Sequence, residues 1–115
     1  MGFQLRGFHA QVDVGGSTVP ASLENGQLNI NFAQRHFTTN FDLVAPGLRL
    51  NRRAEGVVGA DGSFGNSSQF LGSNMVVQGV VAQPAGLPNA QAGYVFQTRV
   101  DEQRSASGVT HWLGR

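Results

Sequence analysis

Three histidines, His9, His36 and His111, are the residues of this chain whose type best suits metal chemistry. Neutral imidazole is the commonest protein ligand for a metal ion. No two of the three stand at helical or close strand spacing, and the chain has no cysteine to add a thiolate. No carboxylate completes a ligand pattern beside them. His9 and His111 become neighbours only if the first and last strands of the fold meet, and no metal is expected.

Nucleophilic and acid-base chemistry have as little to work with. Ser67 and Ser68 lie in a Gly-Asn-Ser-Ser-Gln run with no Gly-x-Ser-x-Gly elbow around them. The seven carboxylates are scattered singly apart from Asp101-Glu102, which fall in a polar turn where solvated charge is the ordinary outcome. Paired acid-base work needs two carboxylates on facing walls, and no spacing here argues for that. Arg49, Arg52 and Arg53 form the one basic concentration. Arg49 and Arg53 share the outward parity if Leu48 and Leu50 point inward, and Glu55 continues that outer row. This is a mixed solvated face, far from the basic excess of a nucleic-acid module. The chain is therefore expected to have no catalytic residue, no cofactor and no nucleic-acid partner.

The elements that would carry these residues are strands. At 115 residues, one domain with one core is the natural size, and a net charge of +1 with 13% charged residues gives no field to recruit nucleic acid or anionic membrane. No run approaches the roughly 18 apolar residues of a spanning helix, so this domain is not expected to insert in a membrane. The first residues, MGFQLRGF, lack the basic-then-apolar order of a signal peptide. Sixteen glycines are spread along the chain, and no window keeps an apolar 3.6-residue period over three turns.

Period-two alternation is plain instead. Leu28, Ile30 and Phe32 share one face and Gln27, Asn29 and Asn31 the other; after Ala33-Gln34-Arg35 the pattern resumes with Phe37, Thr39, Phe41 and Leu43. Leu5 to Val12 predicts a first strand, with turn chemistry at Gly15-Gly16-Ser17 and at Glu24-Asn25-Gly26. Leu48 to Val58 predicts a fourth, turning at Ala60-Asp61-Gly62, since Asp-Gly tolerates positive φ. Ser63 to Leu71, Asn74 to Ala82, a strand with Tyr94, Phe96, Thr98 and Val100 on one face, and Ala106 to Leu113 complete the set. Eight strands joined mostly by short turns predict an all-β meander that hides its edges by closing into an antiparallel up-and-down barrel.

Gly26 followed by Ile30 to Ala33 ("INFA"), the Ala-Asp-Gly turn at 60–62, "VVQGVVA" at 76–82, "NAQAG" at 89–93 and the closing Gly108-Val109 strand occur in a suggestive order. Together, over about residues 5 to 114, they resemble the eight-stranded barrel domain of bacterial surface lipoproteins such as transferrin-binding protein B and factor H binding protein. The similar barrel at the C-terminus of FecR-type iron-dicitrate-sensor proteins shares these features. The family pattern commonly has Asp where Asn31 stands, and Gly and an aromatic where this chain has Gln83-Pro84. The resemblance implies a domain excised from a larger envelope protein of a Gram-negative bacterium, at the periplasm or cell surface. It also implies a non-catalytic binding or scaffolding role toward a protein partner, using loops and outer face.

An eight-stranded barrel is just wide enough to be filled by its own side chains or to hold one small ligand. The inward set, Leu28, Ile30, Phe32, Phe37, Phe41, Leu43, Tyr94, Phe96 and Trp112, is large for that space, which predicts a packed interior and no small-molecule ligand. The alternative is a lipocalin-like carrier of a small apolar molecule; a spacer domain with no partner is a third reading. The longest loop, residues 83–92, contains Pro84, Leu87, Pro88 and Asn89, and an apolar tip at Leu87 would suit a protein partner. Its plainer reading is a connection whose Ala-rich end packs over the barrel mouth.

Overall fold

The structure, a computed structural model, describes residues 1–66, 73–82 and 89–115. Its strands in chain order are β1 (Gly2–Val14), β2 (Ser17–Asn31), β3 (His36–Ala45), β4 (Leu48–Val58), β5 (Ser63–Gly65), β6 (Val76–Ala82), β7 (Gln91–Arg99) and β8 (Arg104–Gly114). Each pairs antiparallel with the next, and β8 pairs back to β1, so the sheet closes into the expected barrel. Strand alternation is the cause: inward residues fill one shared core, while outward residues meet water.

One predicted turn is a correction. Glu24-Asn25-Gly26 is not a turn but a bulge inside the continuous strand β2, where Asn25 adopts φ 54°. Before it the inward residues are Val19, Ala21 and Leu23; after it they are Leu28 and Ile30, so the alternation changes phase. A second bulge sits in β1 between Leu5 and Gly7. There Phe3 and Leu5 point inward on one phase, and Ala10 and Val12 on the other. The β1–β2 ladder pairs Phe3 with Leu28 and Ala10 with Ala21, with the same number of residues between on each strand. The two phase changes therefore cancel, and the register survives.

Eight of the nine expected inward residues, Leu28, Ile30, Phe37, Phe41, Leu43, Tyr94, Phe96 and Trp112, are at most 3% exposed. Phe32 is the exception, at 49%. β2 ends one residue earlier, at Asn31, whose Oδ1 accepts the Gln34 N–H at 3.0 Å, and Arg35 closes the turn at φ 53°. Phe32 thus belongs to the turn, where strand parity no longer directs it inward.

Rings and glycines face one another across the ladders. Phe37 lies opposite Gly56, Phe64 opposite Gly79 and Phe96 opposite Gly108. A Cβ on Gly108 would stand 2.7 Å from the Phe96 ring and 2.6 Å from the His9 carbonyl oxygen, so the ring occupies the space a side chain would need. Phe37 packs on Phe64 at 4.9 Å between centroids and Phe41 on Phe96 at 4.8 Å, both tilted.

β6 is shorter than the sequence pattern suggests, and β5 is described over the first part of its predicted length. The predicted strand Ser63 to Leu71 is confirmed over Ser63–Gly65, and residues 67–72, with Ser67 and Ser68, lie outside the described residues. β6 starts at Val76 rather than Asn74, because Ser73 and Asn74 serve the edge of β4. Asn74 N–H donates to the Arg53 carbonyl at 2.9 Å, Arg53 N–H to Asn74 Oδ1 at 2.7 Å and Glu55 N–H to Ser73 Oγ at 3.0 Å. Met75, fully buried, follows them into the core. The Asp61-Gly62 hairpin is as expected: Gly62 has φ 89°, and Asp61 Oδ1 accepts from the Ser63 backbone and hydroxyl.

Urea denaturation checks this account of the core. Gly108→Ala should cost about 1–3 kcal/mol by overpacking against Phe96, whereas Phe32→Ala should change stability by less than about 0.5 kcal/mol.

Candidate functional site

The lumen is the first place to seek a ligand, and its polar groups are already engaged. Tyr94 Oη and Thr39 Oγ1 are 2.8 Å apart, and Thr39 Oγ1 donates to the Gln27 carbonyl at 2.9 Å. A hydroxyl has one proton, so the Tyr94 hydroxyl is the donor to Thr39. The Trp112 indole N–H donates to Thr110 Oγ1 at 2.8 Å, and Thr110 donates onward to the Tyr94 carbonyl at 3.2 Å. Both ring systems, stacked at 5.8 Å, thus pass their polar ends through a threonine to a backbone acceptor. Among the described residues, the polar atoms of these four side chains are all engaged within the protein. Burial pushes the Tyr94 phenol well above its ordinary range, against the opposing influence of the neighbouring Thr39 and Thr110 hydroxyls.

At the rim near the β3–β4 turn, Arg52 has the inward phase of β4. Its Nη1 donates to the Asn51 carbonyl at 3.1 Å and its Nη2 to the Arg99 carbonyl of β7 at 3.2 Å. It therefore ties β4 to β7 across the rim. Its buried Nε has no hydrogen-bond partner. Desolvation, then the charge of Arg53, lowers its pKa. Arg52 works as a structural strut, while Arg49 and Arg53 face solvent as expected.

The outer surface divides into two unlike walls. On β2 to β4 the polar groups hold one another: Arg49 contacts Glu24 at 3.3 Å and Asp42 at 3.3 Å, and Asp42 also accepts from Asn25 at 2.9 Å and Asn51 at 3.2 Å. The amides of Asn25 and Asn51, aided by the Arg49 cation, hold the Asp42 carboxyl below the usual carboxylate range against an opposing desolvation. Such exposed ion pairs contribute little to stability individually.

The other wall carries no charge along its length, Arg99 and Arg104 standing only at the ends of β7 and β8. Residues 62–98 contain no Asp, Glu, Lys or Arg, nor do residues 105–114. Its outward side chains form rows across the strands, and one row runs Val57, Gly65, Gln78, Val95, Val109 and His9. Val57, Val80, Val95 and Val109 are 48–69% exposed. A shallow groove of about 370 Å³ lies along this wall between β6, β7, β8 and β1, floored by Gly108 and edged by His9, Gln78, Val95 and Val109. No motif marks this wall, since none of its residues is reactive; its legible signal is the long run without a charge.

Of the residues singled out by chemistry, the structure gathers few. β1 and β8 are neighbours, with His9 opposite Val109 and His111 opposite Gly7, so the two histidines are diagonal on the outer wall. His36 lies away from them at the start of β3. Among the described residues, no three His, Cys, Asp or Glu side chains gather round a point that could hold a metal. Asp101 is bound into its turn by Gln103 and Arg104, which keep its carboxyl below the usual range. In the loop, Pro84, Leu87 and Pro88 lie outside the described residues; Asn89 donates to the Gly114 carbonyl at 2.7 Å and so anchors the loop's end to β8. Compared with protein-family models, curated proteins and solved structures, the chain matches none.

Two titrations check the electrostatics. Tyr94 is the only tyrosine. Its phenol ionises first in the unfolded chain, so stability should fall as pH rises above about 10, with the ultraviolet phenolate signal appearing only on unfolding. The Asp42 carboxyl has its folded pKa depressed, so its contribution is present above the ordinary carboxylate value and lost as pH falls below it. Asn25→Gly keeps the positive φ and deletes the leading hydrogen bond; carboxyl-carbon NMR should show Asp42 titrating at higher pH in that variant.

Proposed function

We propose that this domain is a non-catalytic binding or scaffold module of a Gram-negative envelope protein, meeting a macromolecular partner with its outer face and loops. The observation that carries the reading is the plugged lumen. Trp112, Phe3, Phe37, Phe41 and Phe96 are fully buried there, and the hydroxyl of Tyr94 and indole N–H of Trp112 are satisfied within the protein. A carrier of lipocalin type would need that volume for its cargo. The envelope location is supported by the likeness of the Gly26, Ala-Asp-Gly and closing-strand motifs to those of surface-lipoprotein barrels. Charged residues at mid-strand on the outer face, such as Glu24, Asp42 and Arg53, argue against a lipid-facing wall.

A thermal-shift panel tests the central point. Fatty acids, haem and retinoids should leave the melting temperature unchanged, because a ligand that binds the native barrel raises stability by RT ln(1 + [L]/Kd). A dose-dependent rise with any of them would show the lumen opening to a guest and would replace this reading with that of a carrier.

A further inference from the structure

Exposed valines and the absence of charge coincide on one wall, and that coincidence is characteristic of a protein interface, whose centre is depleted in charged residues. A solvated sheet face ordinarily carries charges that keep it single. The β2–β4 wall does so, with Glu24, Asp42, Arg49, Arg53 and Glu55. The β5–β8 wall has Val80, Val95 and Val109, with Val57 at its margin on β4, and no ion among its strands between Asp61 and Arg99.

We infer that a second copy of this chain covers the uncharged wall, with Val95 and Val109 at the centre of the contact. The inference rests on the reading of the domain as a binding module. Charge selects the occupant. A partner that set ions on this wall would strip them of water and meet no counter-ion, which is costly. The same wall of another copy brings no ion and suffers no like-charge repulsion, and it presents Val95 beside Val109, directly paired across β7 and β8, to the same pair. A self-complementary patch of this kind is what a two-fold dimer requires.

The polar groups fit the same occupant. The Gln78 and Gln97 amides flank the two valines and make no hydrogen bond within the described protein, unlike Asn25, Asn51 and Asn74 on the other wall. An amide both donates and accepts, so glutamine rows on two copies can pair with each other. The extent sets the strength. Four strands at their usual spacing, averaging about seven residues, offer about 500 Å² per copy, or about 1,000 Å² for the pair, at the lower end for a specific contact. The dimer is therefore weak and concentration-dependent.

Sedimentation equilibrium of the 115-residue chain, from about 20 µM to about 1 mM, reads this directly. The weight-average mass should rise from 12.2 kDa toward twice that value across the series. The variant carrying Val95→Arg and Val109→Arg should stay at the monomer mass while keeping the wild-type melting temperature, because both side chains point outward. Thr38→Arg, on the exposed face of β3, should associate as the wild type does. A wild type that remains monomeric throughout, or association that survives the double substitution, overturns the inference. Neither result touches the plugged lumen, so the proposed binding role would stand or fall separately on the ligand panel.

Discussion

Among the described residues, seven aromatic side chains must share a lumen that eight strands leave only just wide enough for side chains, and the fold depends on how that crowding is resolved. Glycine resolves it. Gly56, Gly79 and Gly108 stand inward on β4, β6 and β8, each opposite a phenylalanine ring that covers the bare backbone. The trade is favourable because a glycine in a strand has no packing of its own, while a buried aromatic ring contributes roughly 1.5–3 kcal/mol. Gly26 serves Trp112 in the same way, from the bulge of β2, where an added Cβ would lie 3.0 Å from the indole. The many glycines that make helix implausible in the sequence are thus distributed as the counterpart of the rings.

The two bulges make that arrangement geometrically consistent. A strand long enough to wrap a barrel must coil, and an extra residue supplies the bend. Here the bulges fall at the same height on adjacent strands, so β1 and β2 switch phase together. The Gln27 carbonyl, next to the bulge, takes the proton of Thr39 and thereby secures the Tyr94 hydroxyl. Backbone irregularity and internal polar satisfaction are one device here.

Much of the fold could be read from period two alone. The alternation over 27–31 and 37–43, the Asp-Gly turn and the closing strand all specified their elements, because each follows from local steric rules. What escaped was phase. A bulge at Asn25-Gly26 has the composition of a turn, and only the pairing of β2 with both neighbours distinguishes the two. Phe32 was misplaced for a related reason: parity holds only while the strand lasts, and Asn31 ends it. Asn74 reads as a strand residue and Ser73 as part of a turn, but both act through their side chains on the edge of β4, which no alternation encodes. The candidate site was less legible still, since a surface defined by missing charge has no motif. His9 and His111 show the opposite limit: their proximity depends on closure and on the β1 bulge, both properties of the whole sheet.

The ladder between β1 and β8 joins residues such as Phe3 and Gly114 from the two ends of the chain. Contacts of such sequence separation are the slowest kind to form, so this topology has high contact order. During translation, β1 must wait with an open edge until β8 leaves the ribosome. The nascent barrel is then a curled sheet with both margins unpaired, and it is in that interval that the molecule is most exposed to misassociation and to chaperones.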